Sequence, residues 1–276
     1  MRYCNYDGRL SIVGDDRVLD VGRGSGGRFD SDPSKIYDQW SEFSDWAQKP
    51  VGDWEPLNWQ LLGPPNPVPR QVFAIGLNYA DHAAEGGLPP PTFPPTFTKY
   101  PTCLTGPSAV VELPSGSVDW EVELVAVIAR RAHLVAEADA WSHVAGLTIG
   151  QDISERAVQM RPPVPQFSLG KSFPGFGPTG PWVVTIDELD DPGDLAIKCS
   201  LNNEVMQDAR TSELIFGVPQ LIAKISSVLP LLPGDLIFTG TPSGVGVARS
   251  PAIFLKAGDK VESTIEGIGA MTTAFR

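Results

Sequence analysis

The sequence predicts a strand-rich α+β fold, on three observations. The 27 prolines and 28 glycines fall between short apolar segments, the pattern of many short strands joined by tight turns. Helical periodicity is confined to a few stretches. The longest apolar run, residues 118–130, turns apolar on both faces beyond Glu123, as a buried strand does. A chain of 276 residues suffices for one large domain, or a large one with a small one.

In chain order, residues 1–65 read as a small N-terminal domain. Strands are expected near Leu10–Val13 and Val18–Val21, and a helical stretch around Ile36–Trp46. Gly63-Pro64-Pro65-Asn66-Pro67 reads as a linker, and residues 70–276 as the main domain. Gln71–Ile75 opens that domain as a strand. A short helix, Asn78–Glu85, and a proline-rich loop, Gly86–Pro95, follow. Strands then dominate, near 108–113, 118–130, 145–151, 181–186 and 196–201. Pro219–Val228 reads as a helix with proline in its first turn. Pro233-Gly234-Asp235 turns into the strand 236–239, and Gly258-Asp259 and Gly267–Gly269 shape the last two strands.

Composition excludes several classes. A formal charge of −12 argues against a nucleic-acid partner. Cys4, Cys103 and Cys199 are too scattered for a disulfide framework or a metal cluster, which fits a reducing cytoplasm. The opening residues lack the apolar core of a signal peptide, and no run approaches the ~18 apolar residues of a membrane span. Val18–Gly27 imitates the glycine-rich loop of nucleotide-type cofactor folds. It runs into polar, proline-broken sequence and no strand–helix series follows, so it reads as a turn.

The chemistry concentrates on acidic residues. Glu121 and Glu123 share one face of a strand, about 7 Å apart along it. Buried carboxylates need a compensating cation or donors. Asp152 closes the next apolar segment, 146–152. Three carboxylates without neighbouring Cys or His suit a hard cation, Mg²⁺ or Mn²⁺, better than Zn²⁺. His82 and Glu85, three apart on a helix, form a pair able to take a proton from water. The adjoining glycines and prolines read as a mobile flap. His133 and His143 read as surface residues. Arg156, Gln159 and Lys171 offer cationic and amide donors to a small oxo acid. The backbone N–H groups of Gly240–Gly246 could hold a carboxylate.

In these motifs the chain resembles the fumarylacetoacetate hydrolase family. The resemblance rests on Gly76-Leu77-Asn78-Tyr79 with His82 and Glu85, Asp119-Trp120-Glu121-Val122-Glu123-Leu124, and Gln151-Asp152-Ile153-Ser154 with Arg156 and Gln159. It continues through Gly170-Lys171-Ser172-Phe173, Gly177–Trp182, Pro233-Gly234-Asp235 and Thr239–Gly246, covering roughly residues 70–276. Many members carry Asn at the place of Gln151 and Asp at that of Pro174. The resemblance implies a mixed β-roll core with a small leading domain, usually dimeric. It implies that Glu121, Glu123 and Asp152 hold Mg²⁺ or Mn²⁺. It assigns His82, Glu85 and Lys171 to catalysis, with His82 and Glu85 as the dyad that activates water. It places Arg156, Gln159, Lys171 and Thr241 around the substrate.

Residues and resemblance together point to a metal-dependent hydrolase that cleaves a 2,4-dioxo acid, of acylpyruvate or fumarylpyruvate type, into pyruvate and a carboxylic acid. The ion would act as a Lewis acid toward the enolate formed on cleavage. Aromatic-ring degradation is a plausible source of such substrates. The same site could decarboxylate oxaloacetate, or hydrate or isomerise an unsaturated 2-oxo acid. A carboxylate-binding protein without catalysis is the contrasting class, and the intact His82, Glu85 and Lys171 argue against it. No nucleic-acid or membrane partner is expected, and a homodimer is.

Overall fold

The computed structural model describes residues 1–276. Strands β1 (Arg2–Tyr6), β2 (Arg9–Val13) and β3 (Arg17–Asp20) open the chain, followed by α1 (Trp40–Trp46). Next come β4 (Val72–Ile75), α2 (Ala80–Glu85), β5 (Thr96–Thr98), β6 (Val122–Ile128) and β7 (Val144–Gln151). Two single-turn helices, α3 (Arg156–Gln159) and α4 (Phe167–Gly170), precede β8 (Gly177–Val184). The last part holds β9 (Ala196–Leu201), β10 (Glu204–Arg210), α5 (Val218–Ser226), β11 (Leu236–Phe238), β12 (Lys260–Ile265) and β13 (Gly269–Phe275).

One twelve-stranded mixed sheet runs β3-β2-β1-β8-β7-β6-β11-β4-β5, with a short strand at Glu55–Pro56 beyond β3 and two more, Leu62–Gly63 on β1 and Leu104–Thr105 on β8, off this path. Along this path only the β4–β11 pairing is parallel. A second sheet, in the order β10-β9-β12-β13 and ending on Val110–Val111, packs over one face of the first. Strand β6 shows why the centre is apolar on both sides. Val122, Leu124, Ala126 and Ile128 face the layer shared with the second sheet. Val125 and Val127 face an opposite layer with Tyr3, Ile12, Phe43, Val183 and Phe238. The strand period of two thus feeds two cores from one strand.

The N-terminal strands extend the main sheet. Tyr3 pairs with Val183, so β1 is hydrogen-bonded to β8. Sequence reasoning did not anticipate β1, β5 or β10. Their pattern is mixed, and each is defined by its partner strand. The glycine-rich loop after β3 forms only a single helical turn, Val21–Gly24, capped by Asp20. Phe43 of α1 is fully buried and meets Tyr3 and Phe29 edge-on. Phe43→Ala is expected to cost about 3–5 kcal/mol by opening a cavity. One cooperative melting transition should move down as a whole. Two transitions, with only one displaced, would show that residues 1–65 melt independently of the sheet they extend.

Candidate active site

Register builds the acidic centre. Strands β6 and β7 pair antiparallel with Val122 opposite Gln151 and Glu123 opposite Gly150. The residues just before β6 and just after β7 are therefore neighbours, and Asp152 N–H donates to Glu121 O at 2.9 Å. Gln151 fixes the approach by accepting from Glu121 N–H at 2.9 Å while donating to Ser263 Oγ. Carboxylate oxygens of Glu121, Glu123 and Asp152 come within 4.8 Å of one another, all three residues buried.

Cations surround two of the three. Lys171, one residue past α4, donates to Glu121 Oε2 at 2.6 Å and to Asp152 Oδ2 at 2.7 Å. Arg156 donates through Nη1 to Glu121 Oε1 at 2.7 Å and to Gln159 Oε1 at 2.9 Å. Its Nε and Nη2 clamp Asp119 Oδ2 at 2.9 and 2.6 Å. Burial alone would raise the Glu121 carboxyl, but Lys171 and Arg156, helped by His82, outweigh it and hold it down at about 2. Glu123 makes no ion pair, and its hydrogen-bond donor is Gly240 N–H at 2.7 Å. Burial, reinforced by the Asp152 and Glu121 charges, pushes its carboxyl well above the usual carboxylate range.

This imbalance is what a hard cation fits. The donors are all oxygen, they converge, and one of the three carboxylates, Glu123, has no ion pair of its own. Residues Glu121, Glu123 and Asp152 would hold the ion.

The dyad stands over the same space. His82 Nδ1 lies 3.3 Å from Glu85 Oε2 on α2, and Glu85 also accepts from Gly244 N–H at 3.0 and 3.2 Å. Gly244 has φ +105°, and a Cβ there would sit 2.0 Å from Met206 O, so the loop that latches Glu85 needs glycine. His82, Glu121, Arg156, Gln159, Lys171 and Thr241 line one cavity of about 270 Å³, with apolar walls that include Leu77, Phe97 and Phe167. His133 is exposed, and His143 is half-buried away from this cavity.

Two sequence expectations change. The Gly240–Gly246 loop does bind carboxylates, but they belong to the chain. Gly240 N–H serves Glu123, Gly244 N–H serves Glu85, and Gly246 and Val247 N–H serve Asp119. Thr241 lines the cavity, yet its hydroxyl donates to Val122 O at 2.9 Å and accepts from Gln207 Nε2 at 2.7 Å. The flap is better rooted than its composition suggests. Asn78 is bonded to Phe216 and Thr239, and Tyr79 and Ala83 are buried. The exposed part runs from Ala84 through Pro90.

Sequence reasoning missed two residues as parts of the site. Asp119 shares the strand parity of Glu121 and Glu123, a signal that could have found it. Lys99 follows β5, is fully buried, and donates to Asp152 Oδ1 at 2.7 Å. No local pattern marks it, because its partner lies 53 residues away.

Comparison with known proteins agrees with this geometry. The profile of the fumarylacetoacetate (FAA) hydrolase C-terminal domain matches residues 71–276. A Bos taurus relative named oxaloacetate tautomerase FAHD2A, mitochondrial, is 45% identical over 205 residues, 74% of this chain. That match spans 65% of the relative's length, just under two thirds. A Mycobacterium smegmatis crystal structure, provisionally named an HpcE protein, superposes with a TM-score of 0.95 at 50% identity, over 100% of this chain and 99% of that one. Maleylpyruvate hydrolase from Sphingobium sp. SYK-6, solved with manganese(II) and pyruvate, superposes at 0.79 with 29% identity, covering 100% of this chain and 98% of that one. No helix of this chain is long and apolar enough to cross a membrane. By its matched profile, its fold and its relatives, the chain belongs to the fumarylacetoacetate hydrolase family.

Proposed function

We propose that this protein is a divalent-metal-dependent enzyme acting on a small 2-oxo acid by moving a proton at C3, interconverting enol and keto forms. The observation that carries the reading is a cluster of three buried carboxylates tied to Lys171, at a small cavity whose wall includes Glu121, Lys171 and the His82 that Glu85 holds. The relatives named as a tautomerase and as a manganese- and pyruvate-binding hydrolase support 2-oxo acid chemistry. Mg²⁺ or Mn²⁺ is the proposed ion, and when bound it supplies Lewis-acid stabilisation of enolate charge.

The chain's own residues do the rest. Lys171 and Arg156 fix Glu121, so the acidic face keeps one geometry through the reaction. Gln159, already oriented by Arg156, and the third N–H of Lys171 can meet the substrate oxygens. Leu77, Phe97 and Phe167 keep bulk water from the reacting carbon. His82 carries the proton to or from C3, with Glu85 orienting the ring through Nδ1.

The same dyad supports a second reading, hydrolysis of a 2,4-dioxo acid. His82 would take a proton from water as the oxygen attacks C4. The C3–C4 bond breaks, its electron pair stays on C3, and the proton passes to C3 to give pyruvate and a carboxylic acid. The sequence motifs ranked this reaction first. The relative matched at 45% identity moves proton transfer ahead of it. A panel of oxaloacetate enol, acylpyruvates and fumarylpyruvate, followed by enol absorbance and by pyruvate release, separates the two. Enol decay without pyruvate release supports the first reading. Stoichiometric pyruvate supports the second, and no turnover of any member removes both. We also propose a homodimer in a reducing compartment, consistent with three buried free thiols. Light scattering near the 29.6 kDa of one chain would refute the dimer.

The Glu85–Gly244 latch makes a prediction about the lid. Segment 84–90 is exposed, and the amide hydrogens of residues 84–88, ahead of the prolines, should exchange readily in the free enzyme. Mg²⁺ with oxalate, a mimic of the pyruvate enolate, should slow that exchange by holding α2 in its latched position over the site. Strong protection already present without ligand would mean a fixed loop.

A further inference from the structure

Lys99 is a buried cation that no step above uses, and an ammonium group has three N–H donors. All three are engaged. They go to Asp152 Oδ1 at 2.7 Å, to Phe176 O at 3.0 Å and to Lys171 O. Its backbone is fixed as well, since Lys99 N–H donates to Val72 O at 3.1 Å. With no donor left over and no exposed surface, Lys99 can neither touch substrate nor relay a proton. What it can do is hold one oxygen of Asp152 and the peptide that carries Lys171.

We infer that Lys99 is a positioning residue that restricts Asp152 to presenting a single oxygen, Oδ2, to the cation site, and that sets the backbone from which Lys171 reaches the same oxygen. The inference rests on the metal reading of the three carboxylates. A carboxylate whose two oxygens were both free could chelate a hard cation with both. The tie from Lys99 to Oδ1 removes that option while leaving Oδ2, 2.7 Å from Lys171 Nζ, in play.

The test uses Mn²⁺ alone as probe, on wild type and Lys99→Met, an uncharged side chain of similar length. Removing a nearby positive charge and freeing Oδ1 should leave Mn²⁺ affinity equal or tighter. The electron paramagnetic resonance line shape of bound Mn²⁺ should change as the coordination of Asp152 changes. At equal Mn²⁺ occupancy, kcat should fall at least about tenfold with KM moving much less, the loss expected when a supporting partner is removed. If Lys99→Met does not fold, Lys99→Gln, which keeps two donors and drops the charge, is measured in the same way. An unchanged line shape with kcat within twofold of wild type would reduce Lys99 to a structural contact. Lost Mn²⁺ binding in the variant would overturn the restriction of Asp152. Absence of Mn²⁺ binding by wild type itself would remove the metal reading, and this inference with it.

Discussion

Glu123→Gln is expected to weaken Mg²⁺ or Mn²⁺ binding by about 100-fold or more and to lower turnover in step, while the protein stays folded. Ligand charge count sets affinity in all-oxygen sites. Glu123 is the one carboxylate of this cluster without an ion pair to lysine or arginine. The same fact makes the substitution safe for the fold. Burial and the Asp152 and Glu121 charges push the Glu123 carboxyl well above its ordinary range, so ionised Glu123 destabilises the metal-free protein. The sign follows from a raised folded-state value. Its contribution is greatest at pH below the unfolded carboxylate range and is lost as pH rises through the folded value. Gln at 123 should remove this dependence and leave the metal-free melting temperature equal or higher. Melting curves with and without Mn²⁺ check both parts. A variant that keeps the wild-type Mn²⁺-induced shift would show that Glu123 is not a ligand.

His82→Ala should cost about 10²–10⁴-fold in kcat, the usual range for losing a general base or acid. Metal and oxalate binding should be nearly unchanged, because α2 supplies the proton carrier and none of the three carboxylates. Glu85 keeps its bonds to Gly244 in the variant, so the lid remains latched. Single-turnover rates with calorimetric oxalate binding separate the roles. Loss of oxalate binding together with rate would make His82 a binding residue. Loss of hydrolysis with retained enol–keto exchange would place the two reactions on different groups.

Much of this site was legible before the structure, for physical reasons. Glu121 and Glu123 announce themselves because ionised residues stand out in an apolar strand, and the period of two puts them on one face. Arg156 and Gln159 are three apart, a local spacing, and they do bond to each other. The twin burial of β6 was readable from its apolar run beyond Glu123. What sequence could not show is long-range pairing. Lys99 looks like an ordinary lysine after a loop until β5 sets it against Asp152. Gly240–Gly246 looked like a pocket for a foreign carboxylate. Three of the chain's own acids, 85, 119 and 123, occupy those donors from distant positions. Strand β1 was missed because it is set by pairing with β2 and with β8, where Arg2 meets Val184.

The most direct test of the central claim is the decay of oxaloacetate enol absorbance by metal-stripped enzyme, before and after Mg²⁺ or Mn²⁺ is restored, with Glu123→Gln run at the same free metal to measure background. The account predicts no enzymatic rate in chelator, full recovery with either ion, and only background from the variant. Wild-type rates that persist in excess chelator, or a variant that matches wild type at equal metal, would contradict a catalytic metal centre at Glu121, Glu123 and Asp152.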